Sequence, residues 1–134
     1  MAYTSELAAS LASDVLERFS RYVRIDTQSA RDRTRSPRTP GQLELARMLV
    51  EELRAAGLTD AALDDNGYVM ATLEGTTAQR PVIGLIAHVD TSPDAPGAGV
   101  EPLVHRDYDG GVLSLPRDRT RLDPATMPEP VVRL

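Results

Sequence analysis

Apolar residues fall at Leu7, Leu11, Val15, Phe19 and Val23, one every four positions, while Glu17, Arg18 and Arg21 lie off that stripe. The spacing predicts an amphipathic helix over residues 7–23. Two starts fit it, one near Ser5 and one with Ser13 as N-cap before Asp14. Asp26-Thr27-Gln28-Ser29 ends it. Thr39-Pro40-Gly41-Gln42 then opens a second helix, with an N-cap Thr, Pro at the first helical position and Gln at the third, the pattern of a capping box. Leu45, Leu49 and Leu53 form its expected buried stripe, and Gly57 is its C′ glycine. Asn66-Gly67, between short extended runs at 62–65 and 68–73, predicts a hairpin. The run over residues 81–89 is apolar and rich in β-branched side chains without alternation, which predicts a strand buried on both faces. Residues 112–115 predict one more short strand. Helix, helix, hairpin and central strand together give an α/β (or α+β) class, with α/β the expectation.

Composition narrows the function. The 134 residues suit one domain. All 15 basic residues are Arg against 20 acidic ones, a net charge of −5, so a nucleic-acid partner is not expected. The absence of cysteine excludes disulfides, thiolate metal sites and cysteine nucleophiles. The N-terminus carries neither a basic nor an apolar signal region, and no apolar run approaches the roughly 20 residues of a membrane span. The expectation is a cytoplasmic chain with no membrane partner. Residues 30–38 read as an Arg-rich loop. Prolines crowd the last third, and the apolar 131–134 has no closing element after it, which suggests a piece of a longer domain or a disordered tail.

The informative stretch is Ala87-His88-Val89-Asp90-Thr91-Ser92-Pro93-Asp94. Ligands gather at the carboxyl ends of strands in open α/β sheets. His88 and Asp90, two apart, share one strand face there. An imidazole is a good zinc ligand, and a carboxylate beside it can orient the site. The same spacing also describes a strand-end His satisfied by its neighbour, with Asp90 opening a turn at Ser92-Pro93; spacing alone leaves both open. His105-Arg106-Asp107 repeats the pattern in a polar context between Pro102 and Gly110-Gly111, and is expected to be a solvated loop. The glycines match no phosphate-binding pattern and the serines no nucleophile elbow. Arg31, Arg33, Arg35 and Arg38 are expected to be solvated rather than an anion site.

Several segments in order, Leu16-Glu17-Arg18-Phe19, Tyr22-Val23, Ile25-Asp26-Thr27-Gln28-Ser29, Pro40-Gly41-Gln42, Gly57-Leu58, Val69-Met70-Ala71-Thr72-Leu73, residues 86–94 and finally Tyr108-Asp109-Gly110-Gly111, resemble the opening of the two-zinc exopeptidases. The His-Val-Asp-Thr-Ser-Pro-Asp run is particular to the branch that acts on tripeptides. Residues 1–12 look like an extension, and 31–38 carry no signature. The resemblance implies the N-terminal, truncated portion of an α/β catalytic domain over residues 1–134, a mixed sheet flanked by helices. It implies an aminopeptidase that releases the N-terminal residue of tripeptides with two Zn2+ ions. His88 matches the first zinc ligand. Asp90 matches the active-site aspartate that steadies the metal site and the neighbouring base. The bridging Asp, the Glu base and the remaining ligands are expected beyond residue 134, as is the lid domain through which a homodimer would form. The isolated chain is therefore expected to be inactive. The rival reading is a stand-alone, non-catalytic α/β binding module.

Overall fold

The computed structural model describes residues 3–31, 39–77, 80–117 and 119–126. The chain divides into two compact units, Glu17–Pro102 and Met1–Leu16 with Leu103–Leu134. Two helices and two small antiparallel sheets make it mixed α/β.

Helix α1 spans Glu6–Tyr22. Of its two possible starts, the one at Ser5 is used: the Ser5 hydroxyl accepts a bond from the Ala8 amide at 3.1 Å, the geometry of a serine N-cap. The expected stripe is present as a pattern but is not covered, since Leu7, Leu11, Val15 and Phe19 are all exposed. The end of α1 in the larger unit is held by charge. Glu52 of the second helix accepts bonds from Arg18 at 2.6 Å, from Arg21 at 2.6 Å and from the Tyr22 hydroxyl. Only 19% of the Glu52 side chain is exposed.

Helix α2 spans Pro40–Ala55 with Pro40 in its first turn, as its sequence predicts. Thr39 adopts the extended N-cap conformation, but its hydroxyl makes no cap bond and is buried without a partner. The Thr half of the expected capping box does not form. Gln42 is drawn instead into the interior, where its amide donates to the Thr27 carbonyl at 3.2 Å. The buried face is Gln42, Leu45, Ala46 and Val50; of the expected stripe only Leu45 is buried, with Leu49 and Leu53 half-buried. The C-terminus is the expected one. Gly57 takes φ +96, its amide bonds to the Arg54 carbonyl, and the Leu58 amide bonds to the Leu53 carbonyl. That pair of bonds is a Schellman motif, and only glycine takes such a φ without strain.

The hairpin joins β1 (Ala62–Leu63) to β2 (Val69–Met70), with Ala62 opposite Met70 and Leu63 opposite Val69. Asn66-Gly67 sits in its turn, but the turn is not the two-residue kind. Gly67 alone has positive φ, its amide bonds to the Asp64 carbonyl, and the Asp64 amide bonds to the Tyr68 carbonyl. These bonds describe a type I turn followed by a glycine bulge. The Asp64 carboxylate tightens it by accepting from the Asn66 and Tyr68 amides at 2.9 and 2.8 Å. The hairpin packs on α2, and Ala61 joins Leu45, Ala46 and Val50 as the buried apolar residues described.

The strand expected over 81–89 is the main correction. These residues lie in no sheet, and 81–88 are all exposed; Val82 and Ile86 are each 98% accessible. A strand buried on both faces requires neighbours along both edges, and no described strand supplies one. Among the described residues, the ladder near it is a single parallel bridge between Gln28 and Thr91.

In the smaller unit, the strand expected over 112–115 appears as β3 (Leu113–Ser114), paired with an unforeseen β4 (Arg121–Leu122). The Leu115 amide bonds to the Thr120 carbonyl at 2.8 Å, and Arg119 takes a positive φ within the turn. Arg33, Arg35 and Arg38, the apolar 131–134 and the first two residues of the expected extension lie outside the described residues. No helix among the described residues is long and apolar enough to cross a membrane.

The Glu52 cluster gives a signed pH dependence. Partial burial pushes its carboxyl up, but bonds from Tyr22 and Arg21 and the charges of Arg21 and Arg18 outweigh this and hold it below its usual value of 4.5. A depressed acid stabilises the fold above the unfolded pKa and loses that contribution as pH falls through the folded one. Glu52→Gln is expected to lower stability by about 1–2 kcal/mol at pH 7. In urea unfolding, the difference from the parent chain should shrink as the pH is taken below about 4.

Candidate functional site

Asp26-Thr27-Gln28-Ser29 leaves α1 and runs beside Thr91, although more than sixty residues separate them in sequence. The Ser29 amide donates to the Thr91 carbonyl at 3.0 Å, and the Thr91 amide to the Thr27 carbonyl at 3.3 Å. Gln28 extends this bridge with its side chain, whose amide nitrogen donates to the carbonyls of Ala95 at 2.6 Å and Ser92 at 3.4 Å. Asp26 fixes the start of the segment by accepting from the Gln28 amide at 3.1 Å. Arg31 pairs with Asp94 at 2.5 Å at the solvent edge, where both side chains are exposed and the pair adds little.

Two glycines let these pieces approach. A Cβ on Gly41 would lie 1.8 Å from the Asp26 carbonyl oxygen, and one on Gly97 would lie 2.6 Å from Asp26 Oδ1. Gln42, next to Gly41, holds the Thr27 carbonyl from the other side. Three segments that carry the sequence resemblance, 25–29, 40–42 and 90–94, therefore meet in one clasp.

The clasp presents His88 and Asp90. They do face the same way: His88 Nδ1 lies 3.1 Å from Asp90 Oδ1. Asp90 Oδ2 accepts from the Ser29 hydroxyl at 2.6 Å. That bond is the strongest influence on the Asp90 carboxyl and lowers its pKa; partial burial opposes it, and His88 adds to the lowering. Asp90 is thus a carboxylate at neutral pH, able only to accept, so the His88 Nδ1 carries the hydrogen. In the neutral ring Nε2 then holds a lone pair, and it has no partner among the described residues. His88 is 84% and Asp90 46% exposed. Both border an open groove of about 720 Å3 whose other walls include Leu49, Leu53, Tyr68, Val69 and Leu85.

A carboxylate on one ring nitrogen with the other left open is the arrangement of metal-binding histidines. The site stops there. Among the described residues no group of three or more His, Asp or Glu side chains could hold a metal ion, whereas catalytic zinc takes three protein ligands. These residues fit one ligand position and its support. His105, Arg106 and Asp107 are exposed, as expected of a solvated loop. Ser29, Gln28 and the two glycines were not identifiable as site residues by spacing, and membership of the resembling segments was their only sequence signal.

No family model matches the chain. It is 48% identical over 122 residues to a protein named Peptidase T from Bacillus cereus (strain Q1), a match that takes in 90% of this chain and 30% of that protein. Proteins of the same name from Bacillus thuringiensis (strain Al Hakam) and Bacillus anthracis are each 47% identical over 121 residues, 89% of this chain and 30% of theirs. These are homologues, and the chain spans about 30% of the length of the curated relatives it matches.

The clasp is testable at Gly41. Gly41→Ala forces a Cβ into a backbone oxygen and is expected to cost at least about 2 kcal/mol. Gly84→Ala is the control: its Cβ would meet nothing within 4 Å, and it should change stability by less than about 0.5 kcal/mol. Urea titrations of both variants check the contrast.

Proposed function

We propose that this chain is the N-terminal portion of a metal-dependent aminopeptidase that releases the N-terminal residue of tripeptides. The observation that carries the reading is the meeting of the three resembling segments around His88 and Asp90. The homology to proteins named Peptidase T supports it. His88 would offer Nε2 as a ligand to one of two zinc ions, with the remaining ligands and the general base supplied from outside these 134 residues. Bound zinc polarises a scissile carbonyl and lowers the pKa of a coordinated water. The chain's own part is positional. Asp90 keeps the hydrogen on His88 Nδ1, leaves the lone pair on Nε2, and adds negative charge beside the site. The exposed 81–88 run would find its sheet neighbours in the remaining length that the relatives possess, and that length would also bring any dimer-forming lid. Small peptides are the expected partners.

By itself the chain is expected to hydrolyse no tripeptide and to bind zinc weakly, since it offers one imidazole. The decisive experiment is a chimera in which this chain replaces the aligned segment of the Bacillus cereus protein. It should release the N-terminal residue from tripeptides. His88→Ala should lower both metal content and rate. Asp90→Ala should cut turnover by about 10–100-fold while most of the zinc stays bound. A folded, active chimera indifferent to both substitutions would refute the assignment of the site. Chelator-sensitive hydrolysis by the 134 residues alone would refute the division of labour.

A further inference from the structure

We propose that Ser29 is a positioning residue for His88, acting through Asp90. A carboxylate rotates about its last torsion in a broad, two-fold well, so Asp90 alone does not present a fixed oxygen to its neighbour. Ser29 removes that freedom. Its hydroxyl bonds Oδ2 at 2.6 Å, and the oxygen left over, Oδ1, is the one 3.1 Å from His88 Nδ1. The serine is itself anchored, because its amide is bonded to the Thr91 carbonyl, one residue past Asp90. Hydroxyl and amide thus grip the 90–91 backbone and the Asp90 carboxylate together.

The neighbouring polar side chains are committed elsewhere. Gln28 reaches past Asp90 to the carbonyls of Ser92 and Ala95, Arg31 pairs with Asp94, and the Ser92 hydroxyl serves Asp94. Ser29 and His88 are the side chains bonded to Asp90 among the described residues. The relay from Ser29 Oγ through the two Asp90 oxygens to His88 Nδ1 therefore sets which ring nitrogen of His88 is protonated, and with it which one is open to a ligand. The consequence for catalysis rests on the metal-binding role proposed for His88. The effect on the ring does not.

The test reads the ring directly. The chain has two histidines, so His105→Gln leaves His88 as the single imidazole for 15N NMR of the full 134 residues, at a pH where the ring is neutral and without metal. The parent should show the Nδ1–H form as the major tautomer. Ser29→Ala should lower the ratio of Nδ1–H to Nε2–H by about three-fold, the scale of one exposed charge-assisted hydrogen bond, and Ser29→Thr, which keeps the hydroxyl, should restore it. Asp90→Asn should abolish the preference, and adding Ser29→Ala to Asp90→Asn should change nothing further, because the serine acts through the carboxylate. Unchanged backbone amide shifts outside 27–30 and 88–92 identify folded variants. If Ser29→Ala fails that check, Ser29→Gly, which also lacks the hydroxyl, is read in its place against the same three-fold expectation. A folded Ser29→Ala chain with the parent tautomer ratio, or a parent already dominated by Nε2–H, overturns the proposal. A shifted ratio in Ser29→Ala, together with a chimera whose activity ignores His88→Ala, upholds the relay and counts against the metal role.

Discussion

The site in the larger unit depends on a parallel bridge, isolated among the described residues, in which Gln28 and Thr91 lie side by side. Bringing together segments more than sixty residues apart has an entropic cost that grows only logarithmically with the loop, but a single bridge would hardly offset it. The bridge persists because other groups converge on it. Two backbone bonds flank it, the Gln28 side chain extends it onto Ser92 and Ala95, and the Ser29 hydroxyl closes on Asp90. Gln42 satisfies the Thr27 carbonyl from α2, and Gly41 beside it leaves room for the Asp26 carbonyl. α2 and the hairpin, by contrast, are made of short-range contacts whose pattern owes nothing to this bridge. His88 and Asp90 owe their geometry to it.

What was legible in the sequence follows the range of the forces involved. The C-terminus of α2 rests on the positive φ of Gly57, a property of one residue, and it was readable. The hairpin was readable for the same reason, although Gly67 alone takes a positive φ and the turn gains a bulge. The Thr half of the capping box does not form, and the Gln42 side chain has a use that no local pattern displays, the carbonyl of Thr27 fifteen residues away. His88 and Asp90 were readable as a pair on one face. Ser29 was not, since nothing in spacing connects it with a carboxylate sixty-one positions on.

The run over 81–88 shows the converse case, in which the chemistry of a segment is legible but its environment is not. Val82, Ile83, Leu85 and Ile86 have the side chains of an interior strand, and here they are exposed. Hydrophobic burial is non-directional and needs surface to bury against; a strand also needs edge partners for its amides and carbonyls. The buried apolar residues described in the larger unit are Leu45, Ala46 and Val50 of α2 and Ala61 beside the hairpin, and none comes from this run. Under the proposed reading this segment is a central strand shown without its sheet.

The two His-x-Asp sequences separate motif from site. His88-Val89-Asp90 and His105-Arg106-Asp107 are identical in spacing, and both histidines are solvent-facing. Asp107 adopts φ 55, a left-handed conformation that breaks the extended geometry needed for two side chains to share a face. Asp90 directly precedes the bridge at Thr91, and its second oxygen accepts from Ser29. Spacing offers a carboxylate to an imidazole in both places, but only the first pair has an anchored backbone and an anchored carboxylate. The geometry at His88 is therefore a property of the clasp, and residues 25–29 belong to the candidate site as fully as the histidine does.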